Sequence, residues 1–304
     1  MSAASPGKRL RALIDAPEIL VGAGIYDGFS ARAAQATGFR AAIVSGAGVS
    51  ESSLGRPDVG LLGYEENLRV TRALAACVDI PLFADIDTGY GNAVNVYYTV
   101  RGFEQAGVGG VMIEDQTWPK RCGHMDGKSV ISAEEHVEKI HAAIDARRDP
   151  DFVIRARTDA LGPYGLDEAI RRLNLYADAG ADLLVVDAVR SLDEIRTIVA
   201  RLSKPVVVNM GLGVRSRATT PLITPRRLEE AGVAVVEYSR LFSAAALRGM
   251  FLAAAAVHEN AGREESIERP DLAVSFEEMS ALMDLPGIRA LERRYAAGEP
   301  ITTA

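Results

Sequence analysis

The 304-residue sequence has only two cysteines, Cys77 and Cys122, too few for a disulfide-stapled fold, and both read as free thiols. It has no long run of Lys or Arg. With 34 basic against 41 acidic residues the net charge is −7, which argues against a phosphate-tracking surface and makes nucleic acid an unexpected partner. No uninterrupted apolar stretch reaches the ~20 residues of a membrane helix, so no membrane partner is expected. Residues 1–7 lack the apolar segment of a secretory signal, which predicts a soluble protein in a reducing cytoplasm. What the sequence does have is core-forming material, 48% hydrophobic residues, in a chain long enough for two ordinary domains or one large α/β barrel.

Eight short, nearly continuous runs of Val, Ile, Leu, Met and Ala recur: Ile19–Ala23, Ala41–Ser45, Pro81–Asp85, Gly110–Glu114, Phe152–Arg157, Asp182–Asp187, Pro205–Asn209 and Val233–Tyr238. Continuous rather than alternating apolarity marks strands buried on both faces of a parallel sheet. Between them, Asp27–Thr37, Tyr64–Val78, Asn92–Ala106, Ser132–Arg147, Leu166–Ala179, Leu192–Leu202 and Thr224–Ala231 have helical spacing. Gly38, Gly107, Gly180 and Gly232 follow such segments as left-handed stops, and Ser132 with Glu135 reads as a capping box. Eight strand–helix units favour a (β/α)8 TIM barrel over an open sheet of five to seven strands. The whole chain, 1–304, is expected to form one barrel domain with an N-terminal helix within 1–18 covering the barrel bottom. From about 241 to 304 a helical extension follows: an Ala-rich helix to about Glu259, a polar break at 260–270 and an amphipathic piece at 275–296. It has no sheet to pack on and is expected to reach a neighbouring subunit.

Catalytic groups of such barrels sit at the C-terminal ends of strands. Here those ends carry Ser45-Gly46-Ala47-Gly48, Asp85 and Asp87, Glu114, Arg157 with Asp159, Asp187, and Asn209. Carboxylates converging on one mouth repel unless a cation neutralises them. An all-oxygen set with no His or Cys cluster favours Mg²⁺, with Mn²⁺ possible, over Zn²⁺. The loop after strand four carries Lys120-Arg121-Cys122-Gly123-His124. Two cations and an imidazole around a thiol are expected to lower its pKa and make Cys122 reactive, and Gly123 allows close approach to a ligand. Cys77, His136, His141 and His258 read as packing or surface residues.

These motifs, together with Gly55-Arg56-Pro57-Asp58 and Ala156-Arg157-Thr158-Asp159-Ala160, resemble the isocitrate lyase and phosphoenolpyruvate mutase superfamily from about Ile19 to the C-terminus. The Lys-Arg-Cys-Gly-His loop resembles the lyase branch, typified by 2-methylisocitrate and 2,3-dimethylmalate lyases. The resemblance implies a final helix exchanged between subunits, in a dimer or a tetramer of two such dimers. It implies Mg²⁺ held by Asp85 directly and by Asp87, Glu114 and Asp58 through water. Ser45, Gly46, Ala47 and Gly123 would bind the 2-hydroxy or 2-oxo carboxylate substrate, with Asp187 and Asn209 toward its distal end. Arg157 would clamp it, and Lys120, Arg121 and His124 would serve Cys122 as the acid that protonates a carbanion.

The sequence departs from that pattern where those enzymes bind distal carboxylates. Ile43 stands where they carry a tyrosine, Asp187 where they carry a glutamate, and Gly211-Leu212 where they carry Thr-Glu, followed by Arg215 and Arg217. A substituted malate is therefore favoured over 2-methylisocitrate, with Arg215 or Arg217 available as a replacement clamp. On the same scaffold the alternatives are an oxaloacetate decarboxylase or phosphonopyruvate and phosphoenolpyruvate chemistry, neither of which needs a thiol acid. A barrel that binds without catalysing is the remaining alternative.

Overall fold

The computed structural model describes residues 4–217 and 219–296, and the chain divides into two compact units, 1–244 and 245–304. In the first, eight parallel strands pair in chain order and the barrel closes between the eighth and the first, with Leu20 opposite Val235. They are β1 (Leu20–Ile25), β2 (Ala41–Val44), β3 (Leu82–Asp85), β4 (Gly110–Glu114), β5 (Val153–Thr158), β6 (Leu183–Val186), β7 (Val206–Asn209) and β8 (Val235–Tyr238). Every expected run is a strand, shifted by no more than two residues, because burial on both faces leaves no polar alternation to blur its ends.

The helices are α1 (Pro6–Ile14), α2 (Gly28–Ala36), α3 (Gly46–Val49), α4 (Tyr64–Cys77), α5 (Ala93–Gln105), α6 (Ala133–Ala146), α7 (Leu161–Tyr164), α8 (Leu166–Asp178), α9 (Leu192–Arg201) and α10 (Pro225–Glu230). The seven long connecting helices lie within one residue of expectation, and the four stop glycines have positive φ, from 84° to 103°. At α6 the Glu135 N–H donates to Ser132 Oγ at 3.1 Å, the forward half of the capping box. Three elements had no sequence signal: α3, the π-helical turn Ser50–Leu54 that continues it, and α7. Each is one turn or little more, too short to show a period.

Two arcs of apolar contact join the strands to the surrounding helices, and a third cluster fills the barrel interior with Ile43, Phe83, Met112, Val185, Val207 and Val235. Leu10 and Ile14 of α1 belong to that interior cluster, so α1 plugs the bottom, as expected. Above this plug the interior is crossed by a fork of two charge-assisted bonds from Arg155 on β5 to Glu237 on β8, 2.6 and 2.8 Å. Gly22 leaves it room, since a Cβ there would lie 3.3 Å from Glu237 Cγ.

Beyond the barrel come α11 (Leu241–Asn260), α12 (Phe276–Leu282) and α13 (Leu285–Ala296). The amphipathic piece expected at 275–296 is thus two helices, broken where Asp284 takes a left-handed φ of 63°. By length and composition α11 is apolar enough to cross a membrane. No long apolar run was expected because Arg248 interrupts it, and none of its residues is buried.

Candidate active site

The C-terminal ends of the strands surround one cleft, lined among others by Ser45, Ala47, Asp58, Asp85, Cys122, Gly123, His124, Arg157, Asp187 and Asn209. Ser45 ends β2 and caps α3, its Oγ accepting from the Gly48 N–H at 3.2 Å, which leaves its O–H free to donate. Gly46 packs directly behind the carboxylates, since a Cβ there would lie 3.1 Å from Asp85 Oδ2. Asp87, Glu114 and Lys120 lie buried beside the cleft.

Six carboxylates gather here, Asp58, Asp85, Asp87, Glu114, Asp159 and Asp187, with Lys120, Lys128 and Arg157 between them. Lys120 Nζ sits 2.6 Å from Asp58 and 2.7 Å from Asp87. Arg157 makes two bonds to Asp159, 2.8 and 3.0 Å, one to Asp187 at 3.2 Å, and an ion pair with Glu114 at 3.3 Å. Lys128 reaches Asp159 at 2.8 Å. Among the described residues only Asp85 of the six has no cation within 4.0 Å. Burial pushes Asp85 and Glu114 up from the usual carboxylate range and Asp87 up to about 7, against the pull of neighbouring cations. Burial would also depress Lys120, but Asp87, Glu114 and Asp58 outweigh it and hold the ammonium charged. For Asp187 the burial penalty is outweighed by Arg157, with Lys128 and Arg217 adding to its pull, and the carboxylate stays ionised.

The loop after β4 is folded down onto the mouth. Thr117 N–H donates to Ser129 O at 2.9 Å, and the Gln116 amide grips both backbone groups of Arg121, at 2.8 and 2.9 Å. That grip turns the Arg121 side chain outward, where it is exposed and bonds Asp126 O at 3.2 Å. Arg121 therefore lies away from the site, and Lys120 is committed to Asp58 and Asp87. The cation at the Cys122 sulfur is Arg240, two residues past β8, donating at 3.4 Å while also pairing with Glu51. Sequence reasoning overlooked Arg240, although the strand-end rule reaches it. Gly123 is required, for a Cβ there would fall 1.5 Å from Asp187 Oδ2.

His124 is neutral at physiological pH, its pKa lowered to about 4 by burial, with the nearby cations Arg217, Arg157 and Lys128 adding to the effect against the pull of Asp187. Arg217 donates to its Nε2, so the ring proton sits on Nδ1 and is donated to Thr219 Oγ1 at 2.6 Å. Arg217 also donates to Asn209 O at 3.0 Å, and its Nε is buried with no acceptor. Its guanidinium lies over Gly211, where a Cβ would be 2.1 Å away.

Among the described residues no three Asp, Glu, His or Cys side chains form a ready-made metal cage. The donor chemistry nevertheless fits a hard divalent cation held by few carboxylates and completed by water. Acid exceeds base in a buried mouth, Asp85 has no counter-charge, and both Glu114 oxygens are buried without a hydrogen-bond donor. The structure thus brings together every expected site residue except Arg121.

Comparison with known proteins agrees with this fold. A family model described as phosphoenolpyruvate phosphomutase matches residues 10–258. The 2,3-dimethylmalate lyase of Eubacterium barkeri is 38% identical, over 95% of this chain and 98% of that one. The structure of an oxaloacetate acetylhydrolase with 3,3-difluorooxalacetate is similar at a TM-score of 0.88 and 32% identity, covering 98% of both chains. A phosphonopyruvate hydrolase in complex with oxalate and Mg²⁺ is similar at a TM-score of 0.85 and 32% identity, covering 96% of this chain and 100% of that one. By barrel, mouth and sequence, the chain belongs to the phosphoenolpyruvate mutase and isocitrate lyase superfamily.

Proposed function

We propose that this protein is a Mg²⁺-dependent carbon–carbon lyase. Its substrate is a 2-hydroxy di- or tricarboxylate, with a substituted malate preferred, and its products are pyruvate or another 2-oxo acid and a carboxylic acid. The observation that carries this is the placement of the Cys122 thiol in the cleft that Ser45, Asp85 and Arg157 line, with Arg240 3.4 Å from its sulfur. Decarboxylation and phosphonate chemistry do not require a thiol acid, so the Cys122 loop counts against them.

Asp85 would hold the ion directly, with Asp87, Glu114 and Asp58 acting through water. When bound, Mg²⁺ would neutralise this acidic mouth and offset negative charge building on the substrate's oxygens. Ser45 O–H and the N–H groups of Gly46 and Ala47 would bind the carboxylate next to the 2-hydroxyl, and Arg157 would add charge-assisted bonds. Transfer of the hydroxyl proton to a carboxylate of the acidic mouth lets the C2–O bond become a carbonyl as the C2–C3 pair leaves on C3, where the adjacent carboxylate delocalises it. Cys122 then delivers its proton to C3, releasing the carboxylic acid. In giving up that proton the thiol becomes a thiolate, and the Arg240 guanidinium 3.4 Å from the sulfur lies where it can meet that charge. The folded loop, through Lys120 on Asp58 and Lys128 on Asp159, keeps water away while C3 carries charge. The exposed apolar residues Leu247, Met250, Phe251 and Val257 of α11 are what exchange of this helix in a homodimer, or a tetramer of such dimers, would cover.

A second reading, cleavage of the carbon–carbon bond of oxaloacetate, is favoured by the similarity to the acetylhydrolase structure. The test is 2-oxo acid or oxalate release with Mg²⁺ from 2,3-dimethylmalate, 2-methylmalate, 2-methylisocitrate, isocitrate and oxaloacetate. Turnover of a hydroxy acid is the expected result, and reaction of oxaloacetate alone would overturn the lyase reading.

A further inference from the structure

The arginines lining the cleft are not equally provided for. Arg155 is forked to Glu237, Arg157 touches three carboxylates, and Arg240 pairs with Glu51. Arg217 lines the same cleft, yet among the described residues it has no carboxylate within 4.0 Å. Its bonds go to neutral acceptors, a backbone oxygen and the lone pair of an uncharged imidazole, and its Nε–H is buried with none. Asp187 acts on it only from beyond 4.0 Å and is already paired with Arg157, so the half-buried guanidinium is costly unless an anion arrives at its fork. Its posture is also built, not incidental: Gly211 provides the space, Asn209 O and His124 hold the two ends, and Thr219 fixes the imidazole tautomer.

We infer that Arg217 is the specificity clamp for a second carboxylate of the substrate, the one on the fragment that leaves as the carboxylic acid. Cys122 and Arg217 line the same cleft, so this clamp sets the carboxylate beside the carbon that the thiol protonates. The planar fork of arginine suits a carboxylate. His124, being neutral, helps hold the fork without competing for the anion. This assignment rests on the lyase reading for the words substrate and product, but its test does not require turnover.

The test compares binding, by calorimetry with Mg²⁺ present, of oxalate and of 3,3-difluorooxaloacetate, which adds a second carboxylate that the short oxalate cannot extend toward Arg217. Arg217→Gln should weaken 3,3-difluorooxaloacetate by about 10- to 100-fold, the range for losing a charge-assisted bond, and leave oxalate within about twofold of wild type. Arg217→Lys, which keeps the charge but not the fork, should fall between, and Gly211→Ala, which displaces the guanidinium, should resemble Arg217→Gln. Unchanged binding of both ligands, or equal loss of both with a lowered Tm, would overturn the clamp. If the clamp discriminates but no hydroxy acid is cleaved, the lyase reading fails and the clamp stands. If hydroxy acids are cleaved and Arg217→Gln does not discriminate, the reverse holds.

Discussion

The two sides of the barrel mouth are built on opposite electrical plans. Around β3 to β5 acid outnumbers base, and the group left over is a carboxylate, Asp85. In the loop after β7, four strands away around a ring of eight, the group left over is a cation, Arg217. Among the described residues, each other carboxylate of the mouth has a cation within 4.0 Å, though several share one. A matched buried charge holds structure, because removing its partner leaves it desolvated and alone. An unmatched one is stable only in company the protein does not supply. The mouth therefore reads as a cation site facing an anion site, the pair that a metal-chelated dicarboxylate needs.

Removing Asp85 tests the cation side. Asp85→Asn should lower turnover by about 10³-fold, several kcal/mol of lost charge stabilisation. It should also abolish the Mg²⁺-dependent rise in Tm on adding oxalate, while Arg217→Gln keeps that rise. If both variants behave alike, the two sides are not distinct.

A matched charge should behave differently. Glu237→Gln leaves Arg155 buried without its partner and should cost about 3–5 kcal/mol of stability in denaturant unfolding. The double change Arg155→Met with Glu237→Leu should recover most of that loss. A Glu237→Gln protein as stable as wild type would break the distinction between structural and ligand-seeking charges.

The smallest effect lies away from the mouth. His136 is fully buried against Tyr176, ring centroids 4.6 Å apart, with neither nitrogen hydrogen-bonded, and burial lowers its pKa to about 3. The unfolded chain takes up this proton below pH ~6.5 and the native state does not, so the residue costs stability as pH falls from about 6.5 to about 3. His136→Phe should remove about 2 kcal/mol of acid destabilisation at pH 5 and nothing at pH 8, read from urea unfolding at both values.

Most of the barrel was legible because its signals are local. A strand buried on both faces is a continuous apolar run, and a helix stop is a glycine with positive φ, as at Gly38 and Gly107. Strand ends also located the acids, since chain order places them at the mouth. What escaped was pairing. Nothing in Lys120-Arg121 shows that the Gln116 amide will turn Arg121 out while Lys120 drops between two aspartates. The guanidinium at Cys122 comes from 118 residues downstream, and periodicity carries no information at that separation. Likewise the split at Asp284 rests on one left-handed residue within an otherwise helical pattern.

The central claim is that Cys122 protonates the departing carbon. The most direct measurement is single-turnover 2-oxo acid release from a substituted malate with Mg²⁺, Cys122→Ser beside wild type, with oxalate binding measured on both. The account predicts a rate lower by about 10²- to 10⁴-fold, the worth of a positioned general acid, and oxalate affinity unchanged within about twofold. A near-wild-type rate in Cys122→Ser would contradict it.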